Sequence, residues 1–224
     1  MRALRGRAGD IDEDRAVTQS LVADTRETGE PAVRVWTPHR QVAFGRRDAR
    51  SDGYERAWAA AEERGFPPYE RRVGGRAVAY TGNTLAFARV EPLVEMREGL
   101  TARYDEAVAD LRVALADLGV TAERGEPPDS YCPGSHSLST EGKIVGIAQR
   151  VQRGAALVAG ICVVRDHEAI ATVLDPVYAA LDVPFDPTNV GSVARAGGPD
   201  DPETVARAIE RALAGEEVVV ERVR

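Results

Sequence analysis

Apolar positions recur along the chain at two spacings, one typical of helices and one typical of strands. Helical spacing is clearest over residues 103–118, where Ala107, Leu111 and Leu115 share one face and Gly119 follows as a stop. Short alternating runs such as Val33-Arg34-Val35-Trp36 indicate half-buried strands. The pattern predicts helices over residues 12–28, 53–64, 103–118, 166–181 (interrupted by Pro176) and 202–214, and strands over residues 32–36, 41–44, 69–73, 77–80, 84–90, 135–139, 143–151, 155–164 and 218–223.

The order of these elements predicts the fold class. Helices and strands occur in clusters instead of strict alternation, which is typical of an α+β fold with a mixed, mainly antiparallel sheet flanked by helices. Turns at Glu141-Gly142 and Arg153-Gly154 join three of the strands into a β-meander. We expect one main domain over residues 1–198, with residues 199–224 as a short helix–strand extension of the same domain.

Composition and charge narrow the classes of protein. The chain has 224 residues, 43% of them hydrophobic and 29% charged, and a mean hydropathy of -0.30, which together indicate a globular protein with a real core. Its net charge of -7 makes nucleic acid an unexpected partner. No apolar run approaches the roughly 20 residues of a membrane span, and the first residues do not form a signal peptide. We therefore expect a cytoplasmic protein with no membrane partner.

A pair of glycines after a predicted strand is the first candidate for chemistry. In Arg71-Arg72-Val73-Gly74-Gly75-Arg76-Ala77-Val78, glycine permits positive φ and a close approach of backbone N–H groups to an anionic group. The neighbouring arginines would reinforce such a site. Taken alone, a pair of glycines between strands is more often a simple hairpin turn.

The two cysteines lie in different contexts. Cys132, in Tyr131-Cys132-Pro133-Gly134, is placed on a turn where a thiol can be a nucleophile if a base or cation lies close, although it can also be a free cysteine without a role. Cys162 lies in an apolar strand and is expected in the core. His136 is an alternative base, and the spacing of the Cys and His residues is a poor match to a zinc site, so we expect no metal.

The basic residues of this chain are almost all arginine. Of 29 basic residues 28 are arginine, and the single lysine is Lys143. An ammonium group can lose its proton or fit a narrow pocket, which a guanidinium cannot do, so survival of this lysine suggests a function, with compositional drift as the alternative. If the Glu141-Gly142 turn pairs Thr140 with Lys143, a continued ladder would place Cys132 about 26 Å from Lys143, at about 3.3 Å per residue. The two can meet only if the Cys132 segment folds back over the sheet.

Two ordered motifs resemble the biotin/lipoate protein ligase superfamily, whose catalytic domain has a fold like that of class II aminoacyl-tRNA synthetases. Arg72-Val73-Gly74-Gly75-Arg76-Ala77-Val78 is similar to the family's Arg-x-Ser-Gly-Gly-x-Ala-Val loop. Residues 141–150, EGKIVGIAQR, are similar to its Gly-(Arg/Lys)-Lys-(Ile/Val)-x-Gly-x-(Ala/Ser)-Gln segment. The resemblance runs from about residue 32 to residue 193. Departures include Val73 where Ser is common, Arg76 where Gly or Leu is common, and the absence of a His-Asp pair after Tyr80.

Within that superfamily, Tyr131-Cys132-Pro133-Gly134 resembles the octanoyl-[GcvH]:protein N-octanoyltransferase branch, with lipoate-protein ligase A as a relative. The resemblance implies an octanoyl or lipoyl group carried as a thioester on Cys132, with Lys143 as its catalytic partner, and passed to a lysine of a lipoyl domain. It implies no cofactor, because the incoming acyl group is already activated. The implied partners are the glycine cleavage H protein, a 2-oxoacid dehydrogenase E2 or acyl carrier protein. The residues implied to bind the acyl group or substrate are Arg72, Gly74, Gly75, Ala77, Val78, Gly146 and Ile147.

Two other functions fit the same residues. An ATP-dependent lipoate-protein ligase would use ATP and Mg to form an acyl-adenylate, held by Lys143 and the Gly74-Gly75 loop, and Cys132 would be incidental. A non-catalytic acyl-binding paralogue would bind lipoate or octanoate without turnover. For an acyltransferase, Val78, Leu85 and Ile147 are the expected apolar lining of the acyl tunnel.

Overall fold

The computed structural model describes residues 1–71, 75–95, 99–215 and 217–223. Helices and strands alternate irregularly along these residues, with two short 3-10 turns at Asp48–Arg50 and Pro187–Asn189. The strands are β1 (Arg2–Arg5), β2 (Ala32–Trp36), β3 (Gln41–Phe44), β4 (Pro68–Glu70), β5 (Val78–Tyr80), β6 (Thr84–Pro92), β7 (Glu123–Arg124), β8 (Ser137–Ser139), β9 (Lys143–Gln152), β10 (Ala155–Val163) and β11 (Val219–Arg222). The helices are α1 (Ile11–Thr28), α2 (Tyr54–Glu62), α3 (Leu100–Asp117), α4 (His167–Ala180) and α5 (Pro202–Ala214).

Two sheets organise the described residues. The large sheet has eight strands in the order β11-β1-β2-β6-β10-β9-β8-β7, and the small sheet has three in the order β4-β3-β5. Pairing is parallel for β1 with β2 and β11 and for β3 with β4, and antiparallel elsewhere. The expected α+β class with a mixed, mainly antiparallel sheet flanked by helices is confirmed.

The core divides into clusters on the faces of the large sheet. One cluster joins α3 and α5 to β6, β9 and β10 and includes Leu85, Val145 and Cys162. A second joins the small sheet, α2 and α4 to the large sheet and includes Val78 and Tyr131. The candidate site lies beside the second cluster, where the two sheets approach each other.

The C-terminal elements pack into the same body as the rest of the described chain. Helix α5 is capped by Asp201, whose side chain accepts a hydrogen bond from Thr204 N–H, and it buries Val205 and Ile209 in the first cluster. Strand β11 pairs in parallel with β1. The domain boundary at residue 198 stays a prediction. No helix among the described residues has the length and apolar character needed to cross a membrane.

Two predictions about secondary structure were wrong, and two strands, β1 and β7, were not predicted. Pro176 does not interrupt α4, because buried residues on both sides of it, including Val173 and Val177, hold the helix across the lost hydrogen bond. Strand β2 is not half-buried: Arg34 is fully buried, where its guanidinium pairs with Asp14 and lies over the ring of Trp36. Strand β1 was not predicted, because it forms by pairing with distant segments.

The hairpin before Lys143 also differs from the predicted one. Lys143 pairs with Ser139 instead of Thr140, the register shifts between Leu138 and Ser139, and Thr140 N–H donates to the Gly142 carbonyl. Strand β9 has one extra residue here, Ile144, between the pairs Ser139–Lys143 and Leu138–Val145. Such a β-bulge changes the direction of the neighbouring side chains. The Lys143 side chain lies next to Gly146, three residues further along the strand, where a Cβ would lie 3.3 Å from Lys143 Cε.

Candidate active site

The segment of residues 131–134, which we call the Cys132 loop, folds back over the large sheet and lies against Lys143. Lys143 Nζ donates hydrogen bonds to the Tyr131 carbonyl at 2.9 Å and to the Cys132 carbonyl at 2.7 Å. The separation of about 26 Å for a continued ladder therefore does not apply. The two residues expected to be catalytic lie in one site, and their contact is between the ammonium and a backbone carbonyl.

Glu126 completes the surroundings of Lys143. Its Oε2 atom accepts from Lys143 Nζ at 2.8 Å, in an ion pair whose side chains are 1% exposed for Lys143 and 15% for Glu126. The same carboxylate accepts from Gly134 N–H at 2.8 Å and from the Ser137 hydroxyl at 2.6 Å. An ammonium has three N–H groups, and those of Lys143 match the two carbonyls and the carboxylate. Lys143 of β9 therefore holds the start of the Cys132 loop, and Glu126 links its end to Ser137 of β8.

The backbone of Cys132 is held from the opposite side by Tyr178 of α4. Cys132 has a φ of 41°, a left-handed conformation that is uncommon for a residue with a side chain. Its N–H donates to Tyr178 Oη at 2.6 Å, and that hydroxyl donates to the Ala77 carbonyl at 2.9 Å. The buried phenol thus joins the Cys132 loop to the segment that leads into β5.

The thiol of Cys132 faces the end of the glycine-containing loop. Arg71 Nη2 donates to Cys132 Sγ at 3.5 Å and also to the Arg76 carbonyl. Gly75 has a φ of 94°, and a Cβ on it would lie 2.9 Å from Sγ. Glycine is therefore required here both by its conformation and by the approach of the thiol.

Charge at this site is concentrated on Arg71, with tyrosines around it. Burial lowers the pKa of Arg71, but Cys132 and Tyr80 opposite the guanidinium outweigh it and raise the pKa overall. Burial raises the pKa values of Tyr80, Tyr131 and Tyr178, so these phenols stay neutral. A thiolate on Cys132 would thus face a permanent positive charge and neutral hydroxyl groups.

The other residues implied to bind the acyl group divide between the two faces of the large sheet. Val78 lies in the second cluster with Tyr131, and Gly146 lies beside the side chain of Lys143. Ile147 packs against the first cluster, which also contains Leu85, so Val78, Leu85 and Ile147 are not brought together into one lining. Arg72 and Gly74 lie outside the described residues.

His136 and Cys162 are engaged away from the thiol of Cys132. His136 stacks on Tyr104 with ring centroids 3.7 Å apart, and its Nδ1 contacts Arg124 at 2.9 Å. Burial and the charge of Arg124 lower the pKa of His136. Cys162 is fully buried in β10, and burial raises its pKa to about 12. Both residues therefore have roles in packing.

Three residues of the site were not assigned from the sequence. In the sequence, Arg71 is only a neighbour of the glycines, Tyr178 only a position in a predicted helix, and Glu126 lies outside every predicted helix and strand. Glu126 and Tyr178 are brought to the loop by tertiary packing, and neither stands in a motif. The sequence could have indicated Arg71, because it is one of two adjacent arginines that precede the glycine-containing loop, and either of them can face an anionic group.

Comparison with known proteins gives one family. The model of the lipoyl protein ligase A/B catalytic domain matches residues 10–214. The octanoyl-[GcvH]:protein N-octanoyltransferase of Exiguobacterium sibiricum is 33% identical over 169 residues, covering 74% of this chain and 60% of that protein. The lipoyl-[GcvH]:protein N-lipoyltransferase of Listeria monocytogenes is 30% identical over 119 residues, covering 53% of this chain and 43% of that protein. The matched regions span about half the length of these relatives.

Solved structures agree on the fold. A lipoate-protein ligase A bound with ATP superimposes with a TM-score of 0.79 at 20% identity, over 100% of this chain and 89% of that one. Ta0514, a putative lipoate protein ligase from T. acidophilum with bound lipoic acid, gives 0.73 at 18% identity, with coverage of 100% and 89%. The expected ligase-like architecture is therefore confirmed.

Proposed function

The chain belongs to the family of lipoyl protein ligase A/B catalytic domains, and on that premise we propose that it is an acyltransferase of protein lipoylation. It moves an octanoyl or lipoyl group through a thioester on Cys132 to the lysine of a lipoyl domain. The names of the Exiguobacterium and Listeria relatives support this class of reaction and the H protein as donor. A 2-oxoacid dehydrogenase E2 domain is the proposed acceptor, and octanoyl-acyl carrier protein is the alternative donor.

The first half of the reaction is an attack by Cys132. The thiol loses its proton to water, and Sγ forms a bond to the acyl carbonyl carbon of octanoylated H protein. The carbon–nitrogen bond to the donor lysine then breaks, and the amine leaves with a proton from water. A thiol and an amide become a thioester and an amine, so atoms and charge balance without ATP.

The second half restores the thiol. The neutral ε-amine of the acceptor lysine attacks the thioester carbonyl, a carbon–nitrogen bond forms and the carbon–sulfur bond breaks. The amine gives up one proton, and Cys132 regains one. Because one amide is consumed and another is made, the exchange is close to balanced in free energy, and no cofactor is required.

Lys143 and Glu126 serve this reaction by positioning the Cys132 loop. The ammonium of Lys143 fixes two successive carbonyls of the loop, and Glu126 fixes its Gly134 N–H. These bonds hold Cys132 in its left-handed conformation, with the thiol next to Gly75. Positioning of this kind matters because a displacement of about 1 Å can reduce a rate about a hundredfold.

One observation carries the proposal. The Cys132 loop folds back so that the cysteine, Lys143 and the glycine-containing loop, which come from three separate segments, meet beside one apolar cluster. The left-handed backbone of Cys132, held by Tyr178 at its N–H and by Lys143 at its carbonyl, is not expected for a cysteine without a role.

The direct test is acyl transfer between purified proteins. Octanoylated H protein and an unmodified E2 lipoyl domain are incubated with the enzyme without ATP, and the acceptor is examined by intact mass. We expect the acceptor to gain one octanoyl group, and Cys132→Ala to abolish the gain. Transfer that requires free octanoate and ATP, and survives Cys132→Ala, would identify an ATP-dependent ligase instead. Binding of octanoate or lipoate without either reaction would identify a non-catalytic paralogue.

A further inference from the structure

The groups around the Cys132 thiol differ from those expected for a cysteine–lysine dyad. Lys143 directs its ammonium to the Tyr131 and Cys132 carbonyls and to Glu126, which accounts for its three N–H groups. It is 1% exposed and lies in an ion pair. In this arrangement it is a saturated donor, without a lone pair to accept the thiol proton.

Arg71 occupies the position next to the sulfur. Among the hydrogen bonds of the described residues, the one to Cys132 Sγ comes from Arg71 Nη2 at 3.5 Å. A second bond from the same nitrogen to the Arg76 carbonyl holds the guanidinium in place. The backbone N–H of Cys132 is already committed to Tyr178, and that of Gly134 to Glu126, so neither is available to the sulfur.

We propose that Arg71 is a catalytic residue that stabilises the Cys132 thiolate, with Lys143 and Glu126 as positioning residues of the Cys132 loop. The inference rests on the proposed function only for its use in acyl transfer, since the thiolate itself forms before any substrate binds. A guanidinium stays charged at every physiological pH, so it attracts the thiolate but cannot take the proton, which leaves to water. The thiolate then forms the sulfur–carbon bond described above.

The other groups that face Cys132 are compatible with this role. Tyr80 of β5, Tyr131 of the loop itself and Tyr178 of α4 surround the cysteine, and burial raises the pKa of each, so they remain neutral where a thiolate forms. Lys143 of β9 and Glu126 of the preceding loop neutralise each other. Arg71 is therefore the uncompensated charge of the site as described.

The test is the pH dependence of alkylation of Cys132 by iodoacetamide, which reacts with thiolates. It is measured in the wild-type chain, in Arg71→Gln, and in Arg112→Gln as a control. Arg112 also donates to a backbone carbonyl, that of Ala122, but on α3 away from the thiol. We expect Arg71→Gln to be alkylated at least about tenfold more slowly at pH 7 and to approach the wild-type rate near pH 10, and Arg112→Gln to match the wild type.

An equal rate at pH 7 in Arg71→Gln and the wild type would overturn the proposal. So would a slow rate that does not recover at high pH, since that result indicates a displaced loop instead of a lost charge. If Arg71→Gln does not fold, the thiolate absorbance near 240 nm is titrated in the wild type against Cys132→Ser. We expect the wild type to show a thiolate absorbance at neutral pH that Cys132→Ser lacks, and the absence of this difference at neutral pH would overturn the proposal. Alkylation uses no acyl donor, so this proposal and acyl transfer can fail separately.

Discussion

The ammonium of Lys143 lies 2.7 Å from the carbonyl oxygen of Cys132, so the lysine holds the backbone of the nucleophile and not its sulfur. This contact explains why arginine, so common in the chain, does not occur at this position. Lys143 lies against Gly146, where a Cβ would lie 3.3 Å from Lys143 Cε, and three acceptors converge on its one nitrogen. A planar guanidinium is larger and distributes its N–H groups over a fork.

Lys143→Arg is expected to slow acyl transfer about a hundredfold, because the bulkier group displaces the Cys132 loop. Lys143→Met is expected to lower the free energy of unfolding by about 3 kcal/mol as well, since it leaves the carboxylate of Glu126 largely buried without its partner. Transfer assays and urea unfolding measure the two effects. Arg150→Lys, an exposed change on the same strand, is the control. Full transfer by Lys143→Arg would mean that Lys143 is a remnant of compositional drift.

Tyr178→Phe is expected to lower the free energy of unfolding by about 2 kcal/mol, because it removes the hydroxyl that satisfies both Cys132 N–H and the Ala77 carbonyl. It should also slow acyl transfer, since the Cys132 loop loses its link to the segment before β5. Tyr54→Phe is the control, because the hydroxyl of Tyr54 bonds to no described residue while its ring packs against Phe44 and Trp58. An unchanged transfer rate in Tyr178→Phe would show that this link does not position the nucleophile.

A comparison of Gly75→Ala with Gly82→Ala separates the effect of backbone strain from the effect of side-chain contact at the site. Gly75 and Gly82 have φ values of 94° and 91°, so alanine at either position should cost about 1–2 kcal/mol of stability. A Cβ at Gly75 would lie 2.9 Å from both Cys132 Sγ and Arg71 Nη2, whereas one at Gly82 meets no described atom within 4 Å. We expect both variants to lose similar stability in urea unfolding and only Gly75→Ala to lose most of its transfer rate. Equal transfer rates would mean that transfer does not depend on the close approach of Cys132 Sγ and Arg71 Nη2 to Gly75.

The sequence predicted the helices and most strands because each carries its own local signal. The helix over residues 202–214 has its proline at the first position and ends where the apolar spacing ends, and it was predicted with the observed bounds. Strand β1 has no such signal, since Arg2 and Arg5 obscure the alternation and are stabilised by Glu221 and Glu210 from the far end of the chain.

Only part of the site could be predicted, because motifs are local in the sequence whereas the contacts that assemble the site join distant segments. Cys132 and Lys143 stand in recognisable motifs, and the return of the loop over the sheet was identified as the condition for their meeting. Whether that condition holds depends on Glu126 and Tyr178, whose contacts are tertiary. The register shift between Leu138 and Ser139 lies beside Lys143, whose ammonium contacts the carbonyl of Cys132, and no local pattern predicts it.

The two thiols are expected to differ sharply in reactivity. Burial raises the pKa of Cys162 to about 12 from 9.0, so the folded chain favours the neutral thiol, and the stability this contributes is lost only as the pH rises from 9 towards 12. At pH 8 iodoacetamide should therefore label one cysteine in the native protein, Cys132, and both in denaturant. Rapid labelling of Cys162 in the native protein would show that the core around β10 opens.

The acyl adduct of the enzyme itself tests the central claim most directly. The chain is incubated with octanoylated H protein without an acceptor, quenched in acid and examined by intact mass and peptide mapping. We expect one octanoyl adduct on Cys132 that neutral hydroxylamine removes, that Cys162→Ala retains and that Cys132→Ala lacks. An adduct that persists in Cys132→Ala, or the absence of any adduct while transfer to an acceptor proceeds, would contradict a thioester on Cys132.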